Sequence, residues 1–148
     1  MILSLFFLAA QALTGAPALA APTYIEVEGS INPGSASFIQ DSIGKAPEAL
    51  IIRLNTPGGL LSSTRDIIGA INSSAKPVIV FVGPGGASAT SAGALIALSA
   101  HVVAMAPGTN MGAAHPVGGG GEDVKGKMGE KVTNDTAALA RAQANLRG

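Results

Sequence analysis

Short apolar runs and stretches of helical periodicity alternate along the chain from residue 24 to residue 105. Four runs have the length and composition of strands, at 24–28, 49–54, 77–82 and 101–105. The stretches between them place mostly apolar residues at helical spacing. The predicted inner faces are Phe38, Ile39, Ile43 and Ala46, then Leu60, Leu61, Thr64, Ile67, Ile68 and Ile71, then Ala92, Leu95, Ile96 and Ser99. Strands and helices that alternate in this way predict an α/β fold with a parallel sheet.

Two glycine-rich turns follow predicted strands. Residues 55–59, with the sequence Asn-Thr-Pro-Gly-Gly, end the second strand, and residues 83–86 end the third. Neither turn has the spacing of a phosphate-binding loop. In a parallel sheet the ligand crevice lies outside the carboxyl ends of the strands, so we expect both turns to face one site.

The two ends of the chain depart from this alternation. An apolar run at 2–10, followed by Ala18-Leu19-Ala20, predicts a signal peptide at 1–20 that is removed on export. Residues 106–121 are glycine-rich and predict an irregular loop, with residues 118–121 mobile. From about residue 122 or 125 onward, a polar segment with one apolar face predicts a last helix. The folded unit is therefore predicted to cover residues 21–148.

Composition excludes several classes of function. Apolar residues make up 47% of the chain and charged residues 12%, which is typical of a globular domain. Nine basic residues balance nine acidic ones, and aromatic residues are only 3%, so neither nucleic acid nor an anionic membrane surface is an expected partner. The chain has no cysteine and two histidines, which excludes a thiol nucleophile and predicts no metal site.

Ser91 lies immediately before the third predicted helix, in the sequence Ala89-Thr90-Ser91-Ala92-Gly93. A serine at such a junction exposes its hydroxyl, and the backbone N–H groups that begin the helix can stabilise an oxyanion. The N–H of Ala92 would be one donor, and an N–H of the turn at 55–59 the other. Serine is also a common helix N-cap, so on local sequence the catalytic and capping interpretations both stand.

A nucleophilic serine needs a base, and the order of residues restricts the choice. Both histidines precede every acidic residue downstream of Ser91, which does not fit the Ser-Asp-His order of α/β-hydrolases. His115 is therefore interpreted as a structural or loop residue. A lysine can act as base when burial lowers its pKa, and the candidates are Lys125, Lys127 and Lys131.

Four segments in order resemble the protease domain of NfeD-type membrane proteins. They are Asn55-Thr56-Pro57-Gly58-Gly59, Ser91-Ala92-Gly93, the run from Gly108 to Val117, and Glu130-Lys131-Val132-Thr133-Asn134-Asp135. These proteins are related to ClpP and signal peptide peptidase A. The resemblance implies a ClpP/crotonase-like fold of repeated β-β-α units with a parallel sheet.

The same resemblance implies a Ser-Lys dyad. Ser91 falls on the nucleophile and Lys131 on the base, 131 − 91 = 40 positions downstream. Gly58 and Gly59 fall on the oxyanion turn, with Ala92 as the second donor, and no metal or organic cofactor is implied. Without the resemblance, Lys131 would be interpreted as a solvated lysine paired with Glu130 or Asp135.

The implied activity is that of a serine endopeptidase that cleaves apolar segments of stomatin-like membrane proteins. A homo-oligomer on the extracytoplasmic side is expected, and full-length relatives are membrane-anchored. The alternatives are a catalytically inactive, truncated interaction module and a crotonase-type acyl-thioester enzyme. The chain lacks the arginine that the family places before the nucleophile and offers Ser88 as a second serine. Because the family's protease domain is longer, we expect the domain here to be incomplete at its carboxyl end.

Overall fold

The computed structural model describes residues 21–118, 122 and 124–148, and it has an α/β architecture. The predicted signal peptide and most of the predicted mobile loop lie outside these residues. The elements in chain order are β1 (Thr23–Glu28), α1 (Pro33–Lys45), β2 (Leu50–Asn55), α2 (Leu61–Asn72), β3 (Val78–Val82), β4 (Ser88–Thr90), α3 (Ala92–Ser99), β5 (Val102–Met105), β6 (Asn110–Gly112) and α4 (Gly126–Arg147).

Four strands form the main sheet, in the order β1-β2-β3-β5, and every neighbouring pair is parallel. Alternate residues of β2 and β3 are fully buried, as expected for a sheet with helices packed on one face. Ile39 of α1, Ile67 of α2 and Ile96 of α3 belong to the same core as these strand residues. The predicted parallel sheet is confirmed, and its carboxyl ends all lie at one edge.

Local sequence explains where the first helix begins. The Asn32 side chain accepts a hydrogen bond from the Ser35 backbone N–H at 3.1 Å, and the Ser35 hydroxyl accepts one from the Asn32 N–H at 2.9 Å. Pro33 occupies the first helical position, where a missing N–H costs nothing. This capping box fixes the loop that follows β1, which forms part of the cavity described below.

A second, two-stranded sheet was not predicted from the sequence. The strands β4 and β6 pair in parallel, and Thr56 joins them through a bridge to Ala89. The strands have three residues each and consist of small or polar side chains apart from Met111, so they show no apolar alternation. With them the chain contains two β-β-α units, β3-β4-α3 and β5-β6-α4, as the predicted fold requires. The prediction of an irregular loop from residue 106 was therefore wrong for β6.

The last helix, α4, is held at its carboxyl end by polar contacts. Arg147 Nε donates to the Ser99 carbonyl at 2.8 Å, and Asn72 Nδ2 donates to Gln143 Oε1 at 3.0 Å. These contacts join α4 to the ends of α3 and α2. Across residues 21–118, 122 and 124–148, none of the helices combines the length and apolar character needed to cross a membrane.

His101 is expected to make the stability of the sheet depend on pH. Its Nδ1 accepts the Val78 N–H at 3.1 Å, at the start of β3. Partial burial, with a further contribution from the charge of Arg147, lowers the pKa of His101 below its ordinary value of 6.5. The unfolded chain therefore binds a proton more readily than the folded chain, so stability is full above pH 6.5 and declines as the pH falls below it.

We therefore expect a lower melting temperature at pH 5 than at pH 7.5. The variant His101→Asn keeps a side-chain acceptor for the Val78 N–H but does not titrate, so its melting temperature should change less over this interval. Thermal unfolding followed by circular dichroism at matched ionic strength measures both slopes. Equal slopes in the two proteins would contradict the assignment.

Candidate active site

Ser91 has a backbone conformation that non-glycine residues rarely adopt. Its φ is 55° and its ψ is −111°, and α3 begins at the next residue. The Ser91 N–H donates to the Gly112 carbonyl at 2.8 Å, which extends the pairing of β4 with β6. Ser91 occupies the N-cap position of α3, but its side chain makes no cap hydrogen bond, so its hydroxyl does not cap the helix. Strain that surrounding structure holds in place is common at catalytic residues.

A cavity of about 650 Å³ opens in front of Ser91. Its lining is mostly apolar and comes from the loop after β1, the turn after β2, the first turns of α2 and α3, the segment 113–118 and one face of α4. The lining residues are Ser30, Ile31, Asn32, Pro57, Gly59, Leu60, Leu61, Thr64, Ser91, Ala92, Leu95, Ala113, Ala114, His115, Pro116, Val117, Gly118, Val132 and Thr136. Pro57 and Gly59 of the turn at 55–59 line the same cavity as Ser91, as predicted, whereas no residue of the turn at 83–86 does, so the prediction that both turns face one site was wrong for the second turn.

The turn after β2 approaches Ser91 at van der Waals distance. A Cβ at Gly58 would lie 2.8 Å from the Ser91 Cβ, so only glycine fits. The Gly58 N–H is already donated to Thr56 Oγ1 at 3.0 Å, and Gly58 does not line the cavity. Gly59 lines the cavity, and its N–H has no hydrogen-bond partner within the part of the chain that the structure describes. The available donor of this turn is therefore the N–H of Gly59.

Ala92 supplies a second backbone donor beside Ser91. It is the first residue of α3, where an N–H has no acceptor within the helix. Ala92 and Gly59 both line the cavity. The two residues thus line the same cavity as Ser91, and an oxyanion site needs two such backbone donors beside the nucleophile.

Ser88, the second serine of the loop, is engaged elsewhere. Its hydroxyl donates to Asn110 Oδ1 at 2.7 Å, and its N–H donates to Asn55 Oδ1 at 3.1 Å. It does not line the cavity. The structure thus distinguishes Ser91, which lines the cavity, from Ser88, which does not. Local sequence does not distinguish the two serines.

Lys131 is placed near the cavity but not in it. It lies exposed on the first half of α4, while the next residue, Val132, and Thr136 line the cavity. The structure does not bring Lys131 into the lining that contains Ser91. His115, which the sequence interpretation assigned to a loop, does line the cavity. His115 reaches the cavity because the segment 113–118, which continues from β6, forms one of its walls. No pattern in the sequence indicates that strand.

Comparison with known proteins identifies the family of this chain. The family described as the N-terminal domain of NfeD1b matches residues 22–145. The chain belongs to the NfeD1b N-terminal domain family. The resemblance noted from four sequence segments is therefore confirmed.

Two curated relatives of this NfeD1b-family chain are membrane proteins by name. The membrane-bound protease PH1510 of Pyrococcus horikoshii is 44% identical over 104 residues, which is 68% of this chain and 23% of that protein. The membrane protein NfeD1b of Bacillus subtilis is 44% identical over 101 residues, which is 66% of this chain and 22% of that protein. The chain thus spans less than a quarter of the length of either relative.

Solved structures show the same fold. A serine-to-alanine variant of the 1510-N membrane-bound stomatin-specific protease is similar with a TM-score of 0.72 and 36% identity, over 83% of this chain and 62% of that one. A lysine-to-alanine variant of that protease, in complex with a substrate peptide, gives a TM-score of 0.74 and 36% identity over 83% and 59%. A ClpP1 variant from Listeria monocytogenes, at 18% identity and a TM-score of 0.54 over 80% and 66%, shows the likeness of fold alone.

One ion pair of the NfeD1b-family chain lies on the helix face that carries Lys131. Asp135 is four residues further along α4 and thus on the same face. In the structure the Asp135 carboxylate pairs with Arg65 of α2. Arg65 therefore takes up this carboxylate and joins the first half of α4 to α2.

We expect the Arg65 and Asp135 pair to contribute little to overall stability. Both side chains are about half exposed, at 44% and 56%, and water screens such a pair. Arg65→Gln and Asp135→Asn should each lower the free energy of unfolding by less than about 1 kcal/mol, with a coupling of about 0.2–1 kcal/mol in the double-mutant cycle. Urea denaturation of the four proteins measures the cycle. A coupling of zero would mean that the pair does not hold α4.

Proposed function

We propose that this chain carries the peptidase site of a serine protease with Ser91 as nucleophile. The observation that carries the proposal is the strained Ser91 backbone at the start of α3, beside two backbone donors and facing a mostly apolar cavity. The relatives support it, since one is named a protease and solved structures of that protease replace a serine and a lysine. These are the two residue types of the proposed dyad.

In the proposed reaction, Ser91 Oγ attacks the carbonyl carbon of the scissile peptide bond and its proton passes to the Lys131 amine. The tetrahedral oxyanion accepts hydrogen bonds from the N–H groups of Gly59 and Ala92. Collapse of this intermediate expels the amine, which takes the proton from Lys131, and leaves an acyl group on Ser91. Water, deprotonated by Lys131, then attacks the ester, and the departing Ser91 Oγ takes the proton back from Lys131.

The exposed position of Lys131 requires a movement before this proton transfer. Val132 already lines the cavity, and successive residues of a helix are about 100° apart around its axis. We propose that substrate binding or assembly of a homo-oligomer turns the first half of α4 so that Lys131 reaches Ser91. Desolvation in that closed state would favour the neutral amine.

The substrate proposed here is an extended peptide with apolar side chains. Ile31, Leu60 and Leu95 line the cavity and can bury such side chains, and no acidic side chain occurs among the described lining residues. A crotonase-type acyl-thioester enzyme would need a carboxylate there. By analogy with the stomatin-specific protease, the proposed substrate is the apolar segment of a stomatin-like membrane protein, cleaved on the extracytoplasmic side.

Matched peptides test the proposal. We expect the full chain to cleave a peptide with a central run of Leu, Ile and Val, and to cleave a peptide with Lys and Asp in that run at least about tenfold more slowly, because each apolar side chain buried in the cavity adds about 1 kcal/mol or more. Mass spectrometry of the products gives rates and cleavage positions. Equal cleavage of both peptides would contradict apolar selectivity. The absence of cleavage, together with no labelling by a fluorophosphonate probe, would contradict peptidase activity.

A further inference from the structure

Thr56 lies directly after β2 and has a buried hydroxyl that contacts both polar atoms of one neighbouring residue. Thr56 is only 1% exposed to solvent. Its Oγ1 accepts the Gly58 N–H at 3.0 Å and donates to the Gly58 carbonyl at 3.2 Å. The hydroxyl therefore holds the tip of the turn from the inside.

The orientation of the Gly58 carbonyl determines the direction of the neighbouring donor. The Gly58 carbonyl and the Gly59 N–H belong to one planar trans peptide unit, so they point in opposite directions. The carbonyl accepts the Ile31 N–H at 2.8 Å, the Thr56 hydroxyl at 3.2 Å and, at a longer distance, the Ser30 hydroxyl at 3.4 Å. These bonds fix the direction of the Gly59 N–H, on a residue that lines the cavity, and Thr56 is the one of the three donors that also binds the Gly58 N–H.

Thr56 is also joined to the segment that carries Ser91. Its N–H donates to the Ser88 carbonyl at 2.7 Å, and its carbonyl accepts the Thr90 N–H at 3.0 Å. Its methyl group fills the space beside Gly93, where an added Cβ would lie only 2.5 Å from Thr56 Cγ2. One residue thus contacts the turn that holds Gly59 and the first turn of α3, which holds Ala92.

We propose that Thr56 is a positioning residue that aligns the two oxyanion donors relative to each other. The proposal rests on the peptidase function proposed above, since it assigns Thr56 a role in that reaction. Thr56 does not line the cavity, so it would not touch a substrate bound there. Its effect is exerted through the Gly58–Gly59 peptide unit, and it is needed only when negative charge develops on the oxyanion.

Variants with and without the hydroxyl test this role. Thr56→Val keeps the methyl group beside Gly93 and replaces the hydroxyl by a second methyl group, whereas Thr56→Ser keeps the hydroxyl. We expect Thr56→Val to lower kcat about 10- to 100-fold, which is somewhat less than the loss of a whole oxyanion donor, with KM changed less than about twofold. Thr56→Ser should retain most of the turnover. If Thr56→Val does not fold, Thr56→Ala replaces it, because alanine and serine differ by the hydroxyl alone.

A second measurement separates positioning from a general loss of structure. In a Ser91→Ala background, the affinity for an uncleaved apolar peptide, followed by fluorescence anisotropy, should be the same with and without the Thr56→Val substitution, since the ground state needs no oxyanion donor. The control is Ser99→Ala, which removes another buried hydroxyl, bonded to the Ile96 carbonyl at 2.7 Å and outside the cavity. This control should leave kcat unchanged.

The outcomes distinguish this inference from the function on which it rests. An active wild type with unchanged kcat in Thr56→Val overturns the role of Thr56 alone. A fall in kcat that Thr56→Ser does not restore, or an equal loss of peptide affinity, assigns Thr56 a purely structural part and also overturns it. A wild type that neither cleaves peptide nor reacts with a phosphonate overturns the proposed function, and the role of Thr56 with it.

Discussion

Ser91→Ala is expected to abolish peptide cleavage, with a loss of turnover on the order of 10³-fold or more, because the variant has no group that can form the acyl intermediate. The same variant should lose all labelling by a fluorophosphonate probe. Relief of the strained backbone at φ 55° is not expected, since alanine meets the same steric limits as serine. Intact-protein mass spectrometry measures the label, and the peptide assay measures turnover.

Ser88→Ala is the matched control for this experiment. Its hydroxyl is bonded to Asn110 and lies outside the cavity, so its removal should leave both labelling and most of the turnover. Thermal unfolding of both variants checks that neither has lost the fold. Labelling that persists in Ser91→Ala and disappears in Ser88→Ala would show that the nucleophile is Ser88.

Lys131→Ala is expected to lower turnover about 10²- to 10⁴-fold, the usual contribution of a general base, and to leave the affinity for an uncleaved peptide intact. Lys131→Arg should be equally inactive. A guanidinium keeps its proton at any pH that the fold survives, so it cannot accept the proton of Ser91. Steady-state kinetics on the apolar peptide, from about pH 6 to about pH 10, measures both variants against the wild type.

The lysines that precede Lys131 on the chain serve as controls. Lys125→Ala and Lys127→Ala remove the same charge from exposed positions close to Lys131, and most of the turnover should remain. Normal turnover in Lys131→Arg would exclude the Ser-Lys dyad. His115, which lines the cavity, would then be the base to test next.

The main sheet could be predicted because its strands are distinctive in composition. Buried parallel strands such as β2 and β3 are rich in Ile, Leu and Val, and β2 is followed by a turn and a helix with an apolar face. The boundaries of β2 differ from the prediction by one residue at each end. The short strands β4 and β6 could not be predicted, since they pair across the intervening α3 and β5 and their three-residue sequences have no apolar pattern.

The sequence identified individual residues of the candidate site, but it did not predict how their backbone and side-chain groups are oriented. Family resemblance placed Ser91, Gly59 and Ala92 together, and they do surround one cavity. It gave no indication that the Gly58 N–H is held by Thr56, because a hydrogen bond between a side chain and the backbone two residues on leaves no trace in sequence spacing. Nor did it indicate that Lys131 lies exposed, since the orientation of α4 depends on contacts such as Arg65 with Asp135.

Three glycines are so crowded by neighbouring atoms that their presence in a homologue does not indicate catalytic activity. A Cβ at Gly59 would lie 2.0 Å from the Ile31 carbonyl oxygen, and side chains at Gly58 and Gly93 would meet Ser91 and Thr56 at 2.8 and 2.5 Å. The backbone packing requires glycine at these positions whether or not the chain turns over a substrate. A descendant that had lost catalysis would therefore keep all three. Glycines that match across homologues therefore indicate a shared fold, and under the mechanism proposed here the positions of Ser91 and Lys131 are the ones that distinguish active proteases from inactive homologues.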